Sequence, residues 1–166
     1  MRLSTSLVWL IWLILGASGC AHYGTSASGE GAYRSVAIPL LDNESLEAGL
    51  QQAMTDTLIQ TFVTNGAIRV LDEDQAQLVL RGTVTRVLEQ PFTLEGGSEQ
   101  FRIIVRLDVS CYDTSEKTSI WEERGLRGFG IYDAGADRRE AREAALGEAM
   151  AMLAGDIVDR TQVGGW

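Results

Sequence analysis

Histidine, cysteine, proline and positive charge are all scarce in this chain. Among 166 residues there are one histidine, two cysteines and two prolines, and 14 basic side chains face 23 acidic ones, for a net charge of −9. The lone His22 sits two positions after Cys20 near the N-terminus, so no histidine-based catalytic relay can form in the body. One thiol besides Cys20 cannot make a zinc site. Gly128, Gly130 and Gly135 miss the G-x-G-x-x-G spacing, so no dinucleotide turn is framed. Carboxylates are plentiful, but nothing sets two of them in an aromatic cleft, and Glu122 and Glu123, adjacent on an expected strand, point to opposite faces. We therefore expect no enzyme and no cofactor. The acidic balance repels phosphate backbones, so no nucleic-acid partner is expected either. No apolar run is long enough to span a membrane. The longest covers nine residues, Leu7 to Leu15, where a spanning helix needs about 20.

Those nine residues instead suit the h-region of an export signal, with Arg2 as its positive n-region. The run leads into Ala17-Ser18-Gly19-Cys20. Small residues followed by cysteine resemble a bacterial lipobox, in which the cysteine is acylated and becomes the mature N-terminus. Residues 1–19 then form the lipoprotein signal and Cys20 the lipidation site. Ala21 follows, with no inner-membrane retention aspartate, which points to the outer membrane. Cys111 is left without a partner, and its place in an apolar strand suggests a buried, inert thiol.

Residues 20–34 are small and polar and read as a lipidated, flexible tether, residues 35–162 as one domain, and residues 163–166 as a tail. SVAIPLL opens the domain as a strand that is either at an edge or ended by Pro39. Leu46, Leu50, Met54, Leu58 and Phe62 predict a helix over 46–64, capped by Asn43 or Ser45 and closed by Gly66. A short strand over 68–71 follows. Leu78, Leu80, Val84 and Leu88 predict a strand with all four on one face. Phe101, Ile103, Val105, Leu107, Val109 and Cys111 alternate with Gln100, Arg102, Arg106, Asp108 and Ser110, so one face of that strand is solvated. DTSEKT is a hairpin turn into SIWEERGLRGFGIY, whose glycines suggest bulges or close backbone approach. A last helix over 137–160 buries Leu146, Ala149, Met150, Leu153 and Ile157, and its charged first turns (Arg138, Arg139, Glu140, Arg142, Glu143) read as a solvated face. The order β-α-β-β-β-β-α predicts an α+β two-layer sandwich, two helices packed on one face of a mixed, mainly antiparallel sheet with the other face open.

The pattern GCAHY after the signal, VAIPLLDNESLEAGL into the first helix and NGAIRVLDEDQAQLVLRGTV at the helix-to-strand junction resemble the LptE family of lipopolysaccharide-assembly lipoproteins. The alternating strand, the hairpin before Ile120-Trp121-Glu122 and the closing EARE helix fit in the same order. His22 stands where a glycine is usual. The resemblance implies a non-catalytic lipoprotein that plugs and helps assemble an outer-membrane β-barrel of the LptD type and assists lipopolysaccharide insertion into the outer leaflet. The opening VAIPLLDN is also similar to curli-assembly and peptidoglycan-synthase-activator lipoproteins, whose partners would be a secretion pore or a synthase.

A chain this acidic can hold anionic lipopolysaccharide only through a local basic strip. Arg102 and Arg106, four apart, share the non-core face of the long strand with Ile104 between them and Asp108 beyond, and Arg124 joins them if the hairpin register allows. The competing reading is that these arginines pair with acidic neighbours on a solvated face.

Overall fold

The computed structural model describes residues 33–92, 99–133, 135 and 137–163. The signal, Cys20, most of the tether and residues 164–166 of the tail lie outside them. The elements are β1 (Ser35–Ala37), β2 (Asp42–Asn43), α1 (Leu50–Asn65), β3 (Arg69–Val70), β4 (Leu78–Phe92), β5 (Gln100–Asp113), β6 (Thr118–Asp133) and α2 (Arg138–Val163). The sheet order is β3-β1-β4-β5-β6, with β2 also beside β4. The short strands β1, β2 and β3 pair in parallel, whereas the long β4, β5 and β6 form an antiparallel meander. The expected one-sided α+β sandwich is what forms. Both helices bury their stripes against one face: Met54, Leu58, Phe62, Leu153 and Ile157 meet Leu80, Val84, Ile103, Val105 and Leu107, each no more than 1 % exposed.

Local chemistry sets the element ends. Pro39 follows β1, which stops at Ala37; the strand is interior, between β3 and β4, so proline marks its terminus and no edge. Gly66 takes φ 74° at the C-cap of α1 and donates its N–H to Phe62 O at 3.0 Å. The start of α1 differs from expectation. Asn43 and Ser45 do not cap it. Asn43 Oδ1 accepts from the Ser45 N–H at 2.9 Å and its amide donates to Glu47 O at 2.8 Å, closing a turn of its own. That local bonding competes with helix, so α1 begins only at Leu50, after Gly49 at φ 80°, and Leu46 is left fully exposed. In the β5–β6 hairpin, Asp113 Oδ1 accepts from the N–H groups of Ser115 and Glu116 and lets Lys117 take φ 54°.

β6 carries glycines where the helix needs the room. A Cβ built on Gly128 would lie 2.0 Å from Ala149 O, and one on Gly130 would lie 1.8 Å from Ala145 O. The backbone of α2 therefore rests directly on the backbone of β6.

The register of the meander shifts at three places, one of them between Cys111 and Tyr112 beside the hairpin, and the other two set which residues face the helices farther along the strands. The β4–β5 register shifts between Val84 and Arg86, and the β5–β6 register shifts opposite Asp108, where Gly125 takes φ 69°. An inserted residue reverses the in–out phase of everything after it. Leu88 accordingly does not continue the face of Leu78, Leu80 and Val84. Val87 takes the core side, opposite Val105, and Leu88 faces out opposite Ile104.

Candidate functional site

The helix-free face of the meander is built in rows of directly opposed residues. Outermost is Phe92–Gln100–Asp133, then Gln90–Arg102–Ile131, then Leu88–Ile104–Phe129, then Arg86–Arg106–Arg127. An apolar row thus lies beside a row of three arginines. Phe129 and Ile131 are 38 % and 41 % exposed, large apolar surface for an outward face. Arg102 places its guanidinium 3.9 Å from the centroid of the Phe92 ring, a cation–π stack at the end of the apolar row.

Several arginines elsewhere are matched by carboxylates, although Arg34, Arg69, Lys117 and Arg139 form no ion pair among the described residues. Arg81 pairs with Glu73 at 2.7 Å and Arg160 with Glu123 at 3.3 Å. Among the described residues, no carboxylate forms an ion pair with Arg86, Arg106 or Arg127, and Arg106 Nε is buried without a hydrogen-bond partner. Asp108, the carboxylate next along β5 on this face, accepts from the Gly125 N–H at 2.7 Å and so closes the bulge.

The sequence-derived candidates divide accordingly. Arg102 and Arg106 share the open face with Ile104 between them. Arg124 lies beyond Asp108, exposed, and its Nε donates to Glu122 at 2.8 Å. That hydrogen bond raises the arginine's pKa, with attraction from Asp108 in the same direction. Arg124 thus follows the paired-arginine reading, and Arg102 and Arg106 do not. Arg86 and Arg127 were not among the candidates. Only the two bulges turn them outward, and of the two only that in β6 left a signal, its glycines. Cys111 is fully buried, and burial pushes its thiol up to about 12, in keeping with an inert role.

A second cluster closes the end of the sheet near the start of α2. Glu89 accepts from Tyr132 Oη at 2.5 Å, Arg142 Nε at 2.9 Å and Arg138 at 3.0 Å. The Tyr132 hydrogen bond, followed by those of the two arginines, lowers its carboxyl to about 2 against the cost of desolvation. Arg142 also grips Glu47, and Tyr132 stacks on Phe101 at 5.5 Å. Through Arg138 and Arg142 the first turns of α2 therefore brace β4, β6 and the turn before α1, whereas Arg139, Glu140 and Glu143 keep the expected solvated face. A cavity of about 560 Å³ opens beside this brace, walled by Leu46, Val87, Leu88 and Arg142. Among the described residues, no cluster of His, Cys, Asp or Glu could hold a metal, and no helix is long and apolar enough to cross a membrane.

A one-sided meander with two covering helices defines a class of small bacterial α+β domain. A minor lipoprotein from Acinetobacter baumannii has this fold, with a TM-score of 0.55 at 16 % identity over 79 % of this chain and 94 % of that one. So does a protein from Xanthomonas campestris, with a TM-score of 0.62 at 13 % identity over 83 % and 88 %. An uncharacterised lipoprotein B from Nitrosomonas europaea gives 0.52 at 14 % identity over 79 % and 83 %. No curated protein sequence matches significantly. The model of the LptE family, described as lipopolysaccharide-assembly, matches residues 33–161, and the chain belongs to that family. Its role accordingly falls within lipopolysaccharide assembly.

Proposed function

We propose that the chain is an outer-membrane lipoprotein, anchored through acyl chains on Cys20, that plugs and helps assemble a β-barrel of the LptD type and assists lipopolysaccharide insertion into the outer leaflet. It works by contact, without catalysis or cofactor. The observation that carries this reading is the family match over residues 33–161, which takes in every strand, α1 and all but the last two residues of α2. The open face supports it further. Barrel lumens are polar, and this sheet offers them a charged, uncovered surface. Of the candidate lipopolysaccharide contacts, Arg102 and Arg106 keep that role in the proposal, and Arg124, held by Glu122, is peripheral to it. Affinity purification of the full chain from solubilised outer membrane tests the reading. An outer-membrane barrel should co-purify in stoichiometric amount. Recovery of a secretion pore or a peptidoglycan synthase instead would overturn the barrel assignment.

A further inference from the structure

We propose that the row Arg86–Arg106–Arg127 is a seat for the phosphate group of an amphipathic lipid whose apolar part lies over Leu88, Ile104 and Phe129. This deepens the lipopolysaccharide reading above and rests on it. Like charges directly opposite one another on neighbouring strands destabilise a sheet. Here three stand in register, Arg86 opposite Arg106 and Arg106 opposite Arg127, in a chain with 23 acidic side chains. A face that served only to be solvated would gain from a glutamate at any of these positions. The central arginine is partly buried and carries an unmatched Nε, whereas its two neighbours are exposed. A phosphate over Arg106 would satisfy that donor and screen all three cations together, since arginine forks match phosphate oxygens in bidentate fashion. A small hydrophilic anion would make no use of the adjoining row. Phe129 and Ile131 are exposed apolar side chains one and two rows from the cations, which fits a lipid whose charge and hydrocarbon lie side by side.

The test is a titration of the full chain, in detergent micelles, with lipid A carrying two phosphates. Competition by dephosphorylated lipid A and by inorganic phosphate is measured in parallel. Hydrogen bonds from a charged donor to phosphate are each worth about tenfold or more in affinity. Arg106→Gln should weaken binding by about that factor, and R86Q/R106Q/R127Q by a hundredfold or more. Arg124→Gln should leave it unchanged, and Phe129→Ser should weaken lipid binding severalfold. The triple variant should melt no lower than the parent, because it removes like-charge repulsion, so lost binding cannot be read as lost fold. A folded triple variant that binds lipid A as the parent does overturns the seat while leaving the barrel and lipopolysaccharide reading intact. Equal binding of dephosphorylated lipid A overturns the phosphate contact, and competition by inorganic phosphate at the same concentration as lipid overturns the amphipathic ligand. No lipid A binding by the parent chain overturns the proposal, and the barrel co-purification then decides separately whether the function stands.

Discussion

Replacing Gly130 by alanine tests the packing that makes the sheet one-sided. The new Cβ would sit 1.8 Å from Ala145 O and 2.5 Å from its carbonyl carbon. The obstacle is helix backbone, which has no rotamer to change. α2 would have to lift by roughly 1.5 Å to restore ordinary contact, and the close packing beneath it would open over several residues. Overpacking costs about 1–3 kcal/mol, and a backbone obstacle places this case at the upper end, about 3 kcal/mol. With a urea dependence of about 2 kcal/mol per M, the unfolding midpoint should fall by roughly 1.5 M. Gly147→Ala and Gly155→Ala are the controls. Both glycines lie within α2, and a Cβ on either meets nothing within 4 Å. They should stabilise by up to about 1 kcal/mol through helix propensity. An unchanged urea midpoint for Gly130→Ala, alongside folded controls, would refute direct contact between α2 and the β6 backbone.

Two further outcomes follow from the brace and from the helix start. The carboxyl of Glu89 lies at about 2, below its ordinary 4.5, so its contribution is fully present above pH 4.5 and is lost as pH falls from about 5 toward 2; with its side chain 26 % exposed, the loss should be about 1–2 kcal/mol after screening. Urea midpoints at pH 7, 5 and 3 should show Glu89→Gln less stable at pH 7 but flatter on the acid side, and parallel acid losses in variant and parent would count against the brace. Leu46→Ser should leave the midpoint within about 0.5 kcal/mol of the parent, whereas Leu58→Ala should cost about 2–5 kcal/mol; comparable losses at both sites would restore Leu46 to the buried stripe.

The layers of this fold were legible because periodicity is a local signal. The alternation of β5 and the four-residue spacing from Leu50 to Phe62 each report a buried face without reference to any other element. What escaped was phase and register. Thr85 looks like any β-branched strand residue, yet it is the extra residue that turns Arg86 and Leu88 outward. The glycines of β6 did signal bulging or close approach, and both occur, at Gly125 and at Gly128 and Gly130. Which residues those features would carry to the open face depended on the pairing with β5, which no single strand encodes. The cap of α1 failed for a related reason. Asn43 has the chemistry of a helix cap, but it finds partners in its own turn first.

Arginine pairing differs between the brace at α2 and the middle of the open face. On the helix side, Arg138 and Arg142 share Glu89, and Arg160 reaches both Glu123 and Asp156. Such pairs join elements distant in sequence and contribute to holding α2 on the sheet. On the open face the peripheral arginines, Arg81 and Arg124, are paired as well. Arg86, Arg106 and Arg127 stay unmatched in the middle of the three longest strands, where a carboxylate on a neighbouring strand would be easiest to place. Stability alone favours filling that position with glutamate, and a chain of net charge −9 does not lack acids. Keeping Arg86, Arg106 and Arg127 in line therefore makes physical sense if their counter-ion arrives from outside the chain. The two bulges then have a shared consequence: each costs ladder hydrogen bonds, and together they carry the flanking arginines to the same side as the central one.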